Sequence, residues 1–204
     1  MKLYVEGGGD ARGLKSECRR GFSEFLRKAG LGGKMPKIVA SGSRQNAFND
    51  FVTALNNGQP AMLLVDSESP VDPENSVSGS ETPWKHLAER EGDKWKKPSD
   101  ATDDQCHLMV ECMESWLLAD RQTLASFFGN GFNENALPAA ARSVESVSKR
   151  QLYDSLAQAT RGSKASYSKG SNSFKILAKL DANLVVAASP WAKRFVDKLK
   201  AAMQ

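Results

Sequence analysis

Long apolar runs are missing from this 204-residue chain. The longest, Ala61–Val65 and Leu184–Ala188, reach five residues each. A helix crossing a bilayer needs about 20, so an integral membrane protein is excluded. Only Leu3, Tyr4 and Val5 lie between Lys2 and Glu6, which predicts that no secretory leader is present. Cysteine is scarce. Cys18, Cys106 and Cys112 are an odd number without paired spacing, as expected of free thiols in a reducing cytoplasm. His86 and His107 are the two histidines, too few and too poorly spaced for a zinc site. A Cys106–His107 nucleophilic pair is disfavoured because strand neighbours face opposite sides. No G-x-x-x-x-G-K-[ST] and no G-x-S-x-G occurs, and Arg12 stands where G-x-G-x-x-G would need its last glycine.

What is present is a globular composition, 40% apolar and 25% charged. A chain of this length buries enough surface to fold without disulfides or metal. Charge is unevenly spread. Residues 1–140 hold 16 Lys/Arg against 20 Asp/Glu, whereas residues 141–204 hold 12 against 4. An acidic front and a basic tail can set carboxylates beside a phosphate-attracting surface, although the same lysines also suit solvated helix faces.

The pattern along the chain predicts strands at Lys2–Glu6, Lys37–Ala40, Ala61–Val65 and Cys106–Val110. Helices are predicted at about 11–29, 44–55, 84–90, 112–128, 148–160, 171–180 and 190–203. The order β-α-β-α-β predicts an α/β fold with a parallel sheet flanked by helices. Residues 1–130 are read as the core, and 131–204 as a basic helical portion packed on it. Ser67–Pro83, with five Ser, three Pro and four acidic residues, is a long connection of the functional or disordered kind.

Acids sit at three predicted strand ends: Glu6 with Asp10, Asp66 with Glu68, and Glu111 with Glu114. In an open parallel sheet, ligands bind beyond the carboxyl ends of the strands. Two carboxylates about 5 Å apart repel by roughly 3 kcal/mol at an effective dielectric near 20. Convergence therefore asks for a hard cation such as Mg²⁺, a shared proton, or a nearby Lys or Arg. Asp10 equally suits a helix N-cap, and Glu114 a solvated helix position. Gly7-Gly8-Gly9 reads either as a phosphate approach to the first helix or as a tight β-α turn. Trp95 among Lys94, Lys96 and Lys97 suits either base stacking or a loop anchor. Lys164 and Lys169 lie in a Ser/Lys-rich turn able to approach a phosphate.

A strand ending in Glu6-Gly7 and another ending in Asp66-Ser67-Glu68 resemble the Toprim signature of topoisomerases, primases and OLD-family nucleases. More widely, the chain resembles the bacterial DUF4276 family of small Toprim-like proteins. The stretches that carry this are YVEGGGD from Tyr4, LVDSE from Leu64, HLMVECMESW from His107 and YSKG from Tyr167. The resemblance implies a Rossmann-like Toprim fold. Glu6 would be acid/base or metal ligand, Asp66 and Glu68 metal ligands, and Asp10 the second acid of an EGxxE-like pattern. Lys169 would neutralise phosphate. The family's Asp-x-Asp is Asp-x-Glu here.

The expectation is a cytoplasmic, Mg²⁺- or Mn²⁺-dependent phosphodiesterase acting on nucleic acid. Glu6 and Lys169 would be catalytic, and Glu6, Asp10, Asp66, Glu68, Glu111 and Glu114 would surround the ion. Lys164, Lys169 and Trp95 would meet the nucleic acid. The resemblance further implies a role in anti-phage defence. The alternative is a non-catalytic partner or regulatory subunit of an ABC-type ATPase.

Overall fold

Four short apolar stretches form one sheet: β1 (Lys2–Gly8), β2 (Lys37–Gly42), β3 (Ala61–Asp66) and β4 (Cys106–Met109). The computed structural model describes residues 1–9, 11–139, 143–170 and 172–204. The strand order is β2-β1-β3-β4, and every pairing is parallel. Parallel neighbours need crossovers. Helix α1 (Arg12–Leu26) joins β1 to β2, and α2 (Arg44–Asn56) joins β2 to β3. The chain winds outward to β2, then returns past β1 to lay down β3. The winding reverses at the β1/β3 boundary, where such sheets open a crevice beyond their strand ends.

Strand alternation divides the core. Leu3, Val5, Met62 and Leu64 share one cluster with Phe22, Phe25 and Leu26 of α1. Tyr4, Leu63 and Val65 share the other with Ala47, Phe51 and Ala54 of α2. A strand covered on both faces reads as continuously apolar, and β3 does so up to Asp66. Each fully buried Leu or Phe contributes about 1.5–3 kcal/mol.

The helix expected over 112–128 is two elements: a 3₁₀ segment, Met113–Ala119, and α4 (Arg121–Phe128). The break has a cause at each end. The Met113 N–H donates to Asp66 Oδ1 at 2.8 Å, which pins the first turn to the sheet edge. Asp120 then restarts the helix as N-cap, accepting from the Thr123 N–H at 2.9 Å. The α1 end also differs from expectation. A wide π turn, Arg27–Leu31, follows Leu26 and closes where Gly30 takes a φ of 95°.

The remaining helices are α3 (Pro83–Glu89), α5 (Lys149–Ala159), α6 (Ser173–Leu177), α7 (Ala182–Ala188) and α8 (Pro190–Ala202). Helix α7 went unread in the sequence, although Asp181 caps it. Phe174, Ile176, Leu177, Val185, Phe195 and Leu199 join the α1-side cluster. Trp116 sits among them, stacked on Phe25 at 5.1 Å and on Phe195 at 6.5 Å. Helix α8 also clamps the edge strand β4. Arg194 Nη1 donates to the Cys106 carbonyl at 3.0 Å and Nη2 to the Asp103 carbonyl at 2.7 Å. His107 is buried beside it. Burial, followed by the Arg194 charge, holds the imidazole well below its ordinary pKa. No described helix is long and apolar enough to cross a membrane.

Candidate functional site

Register places the first two acids. Val5 of β1 pairs with Leu64 of β3, so Glu6 and Asp66 emerge from neighbouring strands at the same edge. The Asp66 N–H donates to Glu6 Oε2 at 3.1 Å. Glu68 adopts a φ of 64° in the turn beyond β3. One carboxylate oxygen each from Glu6, Asp66 and Glu68 lies within 4.8 Å of the others.

Burial makes this cluster costly. Asp66 is 6% exposed. Burial, then the Glu6 and Glu114 charges, push its carboxyl well above the usual carboxylate range. Burial also raises Glu6, against the opposing pull of Arg44. Two basic residues offset part of the negative charge. Arg44, first residue of α2, reaches Glu6 Oε2 with Nη1 at 3.2 Å and also bonds the Asp66 carbonyl. The same guanidinium grips Asp93 through Nε at 2.8 Å and Nη2 at 2.6 Å, and lies over the Trp95 ring at 4.8 Å. Lys149, first residue of α5, places Nζ 2.6 Å from Glu68 Oε2. Burial works against its charge, but Glu68 and Asp66 prevail and hold the ammonium above its ordinary pKa.

Glu114 lies beside the cluster on the 3₁₀ segment. The Tyr153 hydroxyl donates to its Oε2 at 3.1 Å and the Ser173 hydroxyl to its Oε1 at 3.0 Å. With Glu6, Asp66, Lys169 and the 7–9 glycine turn, it lines a cleft of about 240 Å³. The turn is glycine for steric reasons. A Cβ at Gly7 would come 2.8 Å from the Phe174 ring, and one at Gly8 would come 2.8 Å from the Lys15 backbone. Both positions have positive φ, which side chains disfavour.

Lys169 lines the cleft, whereas Glu111, Trp95 and Lys164 do not. Glu111 does not join the three converging acids, and its carboxylate accepts from the Lys149 N–H at 2.8 Å. It caps α5, while its carbonyl accepts from the Glu68 N–H at 2.8 Å. Trp95 is 5% exposed, stacked on Phe48 at 4.4 Å and faced by Arg44. So little of the ring is exposed that it anchors a loop and offers no surface to a base. Lys169 is exposed at the cleft, with Nζ 5.3 Å from the Tyr153 ring centre. Lys164 is exposed on the turn after α5. Asp10 lies outside the described residues.

Arg44, Lys149, Tyr153 and Ser173 were not anticipated. A signal for Arg44 existed: it stands just past β2, at the same sheet edge as the acids. Lys149 carries no local signal, since its partner Glu68 is 81 positions away.

No curated protein and no solved structure matches the chain. A family model described as a domain of unknown function, DUF4276, matches residues 5–200. That match runs from β1 through most of α8 and takes in every acid of the cleft, and the chain belongs to the DUF4276 family.

Proposed function

We propose that this protein is a Toprim-like phosphodiesterase that cleaves nucleic acid with the help of Mg²⁺ or Mn²⁺. The observation that carries the reading is the convergence of Glu6, Asp66 and Glu68 within 4.8 Å at the sheet's reversal point. The donor set fits such an ion: all three are hard carboxylate oxygens, and Asp66 is buried among like charges. Glu6, Asp66 and Glu68 would hold it. Once bound, a divalent ion polarises a phosphoryl oxygen and acidifies water.

The protein's own groups would supply the rest. Glu6, at the strand end beside Asp66, is the acid placed to take a proton from attacking water. Arg44, locked by Asp93, keeps that carboxylate aimed at the edge. Tyr153 and Ser173 fix Glu114 beside it, while Lys169 at the cleft draws in a phosphate.

One observation favours a second reading. Arg44 and Lys149 already pair with Glu6 and Glu68, an arrangement that also suits a non-catalytic subunit, such as a partner of an ABC-type ATPase. One experiment separates the two. Purified protein is incubated with plasmid DNA and with RNA, with and without Mg²⁺ or Mn²⁺, alongside Glu6→Gln and Asp66→Asn. Metal-dependent cleavage that both variants lose supports the enzyme. Cleavage that survives in both overturns it, and a wild type that cleaves neither substrate favours the subunit.

A further inference from the structure

The two cations paired with the acid cluster, Arg44 and Lys149, are held in different ways. Arg44 is built in: two bonds to Asp93, one to Glu6, one to the Asp66 carbonyl and a stacked Trp95 fix its guanidinium. Its side chain is 13% exposed and that of Asp93 3%. Displacing it would break all these contacts together. The Lys149 ammonium, by contrast, bonds Glu68 alone among the described residues, at 2.6 Å. The side chains of this pair are 23% and 25% exposed. A lysine stem is flexible and its head strongly hydrated, so a rotamer change can return the ammonium to water at small cost.

The backbone of Lys149 does not share this freedom. Its N–H is held by the Glu111 carboxylate at 2.8 Å, and Ser148 caps the same helix end through the Gln151 N–H. Glu111 also holds the Glu68 N–H with its carbonyl. Helix start and ligand loop are thus fixed to one residue, while the ion pair between their side chains can open. An ammonium on a Glu68 oxygen and a divalent ion on the same carboxylate would repel each other, so the two compete for it.

We propose that Lys149 is a resident counter-cation of the site. It neutralises Glu68 until a divalent ion displaces it, and loading of the ion releases the ammonium to solvent. This inference rests on the metal-dependent reading above and assigns the residue that sets the site's affinity for its ion.

The test is Mn²⁺ binding, followed as loss of the free-ion electron paramagnetic resonance signal, for wild type and Lys149→Met. The Met side chain keeps an apolar stem and removes the charge. Lys149→Met should bind Mn²⁺ about two- to fivefold more tightly, the range expected from removing a partly exposed ion pair. Equal or weaker binding overturns the proposal, because a lysine that merely props Glu68 in place would leave a poorer site when lost. A second measurement needs no variant. Reductive ¹³C-methylation of wild-type protein should label Lys149 faster with saturating Mg²⁺ than without it, and an unchanged rate overturns the proposal. A wild type that binds no Mn²⁺ overturns the metal reading as well. Binding that Lys149→Met fails to tighten overturns this inference alone.

Discussion

Asp66 and Asp120 are the same residue type, 6% and 5% exposed, yet folding moves their carboxyls in opposite directions. Burial is the largest influence on both, and it works to raise each. At Asp120, hydrogen bonds overcome it. Oδ2 accepts from the Asp181 N–H and Oδ1 from the Thr123 N–H, both at 2.9 Å, so one carboxylate caps two helix starts and its pKa is lowered. Asp66 has one comparable bond, from the Met113 N–H, and faces the charges of Glu6 and Glu114. A buried acid ringed by amides is structural. A buried acid aimed at other acids is a cost that stability alone does not explain.

Substitutions should separate these two roles. The largest effect is expected at the cleft. Asp66→Asn should lower metal-dependent cleavage by about 100-fold or more, in the range of losses seen when metal-site groups are removed. It should also raise the melting temperature at pH 8, because a buried charge disappears. A fall in melting temperature would place Asp66 with the structural acids. Asp120→Ala should do the reverse, costing about 2 kcal/mol in urea unfolding because two helix-start amides lose their acceptor. Its cleavage rate should match wild type.

Acidity should sharpen the contrast. The folded pKa of Asp66 is raised, so its contribution to stability is full below its unfolded value, about 3.9, and is lost as pH rises through the folded value. The melting-temperature advantage of Asp66→Asn over wild type should therefore grow from pH 4 to pH 8. Asp120 has a lowered pKa, so its contribution is full above about 3.9 and is lost as pH falls through its folded value. The deficit of Asp120→Ala should shrink under acid, and pH-independent gaps in thermal melts would undo the comparison. The smallest effect belongs to Lys169, which is exposed. Lys169→Met should weaken nucleic-acid binding about two- to fivefold and reduce the slope of log affinity against log salt by about 1.

Much of this arrangement was legible beforehand because it is local. The apolar runs at Leu3–Val5 and Ala61–Val65 each end in an acid, and a parallel sheet brings such ends together. The parallel order of the first three strands follows from the alternation of short apolar runs with amphipathic helices. The 112–128 segment misled because Trp116, Leu117, Leu124 and Phe127 fit one helical stripe. The overlooked signal was Asp120 itself, a capping residue inside the run. Glu111 and Lys149 were beyond local reading. Whether Glu111 faces the acids or caps α5 depends on where a helix 38 positions later begins. No periodicity encodes that distance. Trp95 was ambiguous for a similar reason, since its partners Phe48 and Arg44 lie on a helix some 50 positions earlier.

The Arg194 clamp on β4 bears on self-association. An outermost strand in a sheet offers unpaired backbone groups to any passing chain. Here a guanidinium 7% exposed blocks part of that margin by taking the Cys106 carbonyl. Helix α8 is thus a guard against edge-to-edge stacking as well as a piece of core. A chain shortened before Pro190 would bare this margin together with the core that Phe195 and Leu199 fill.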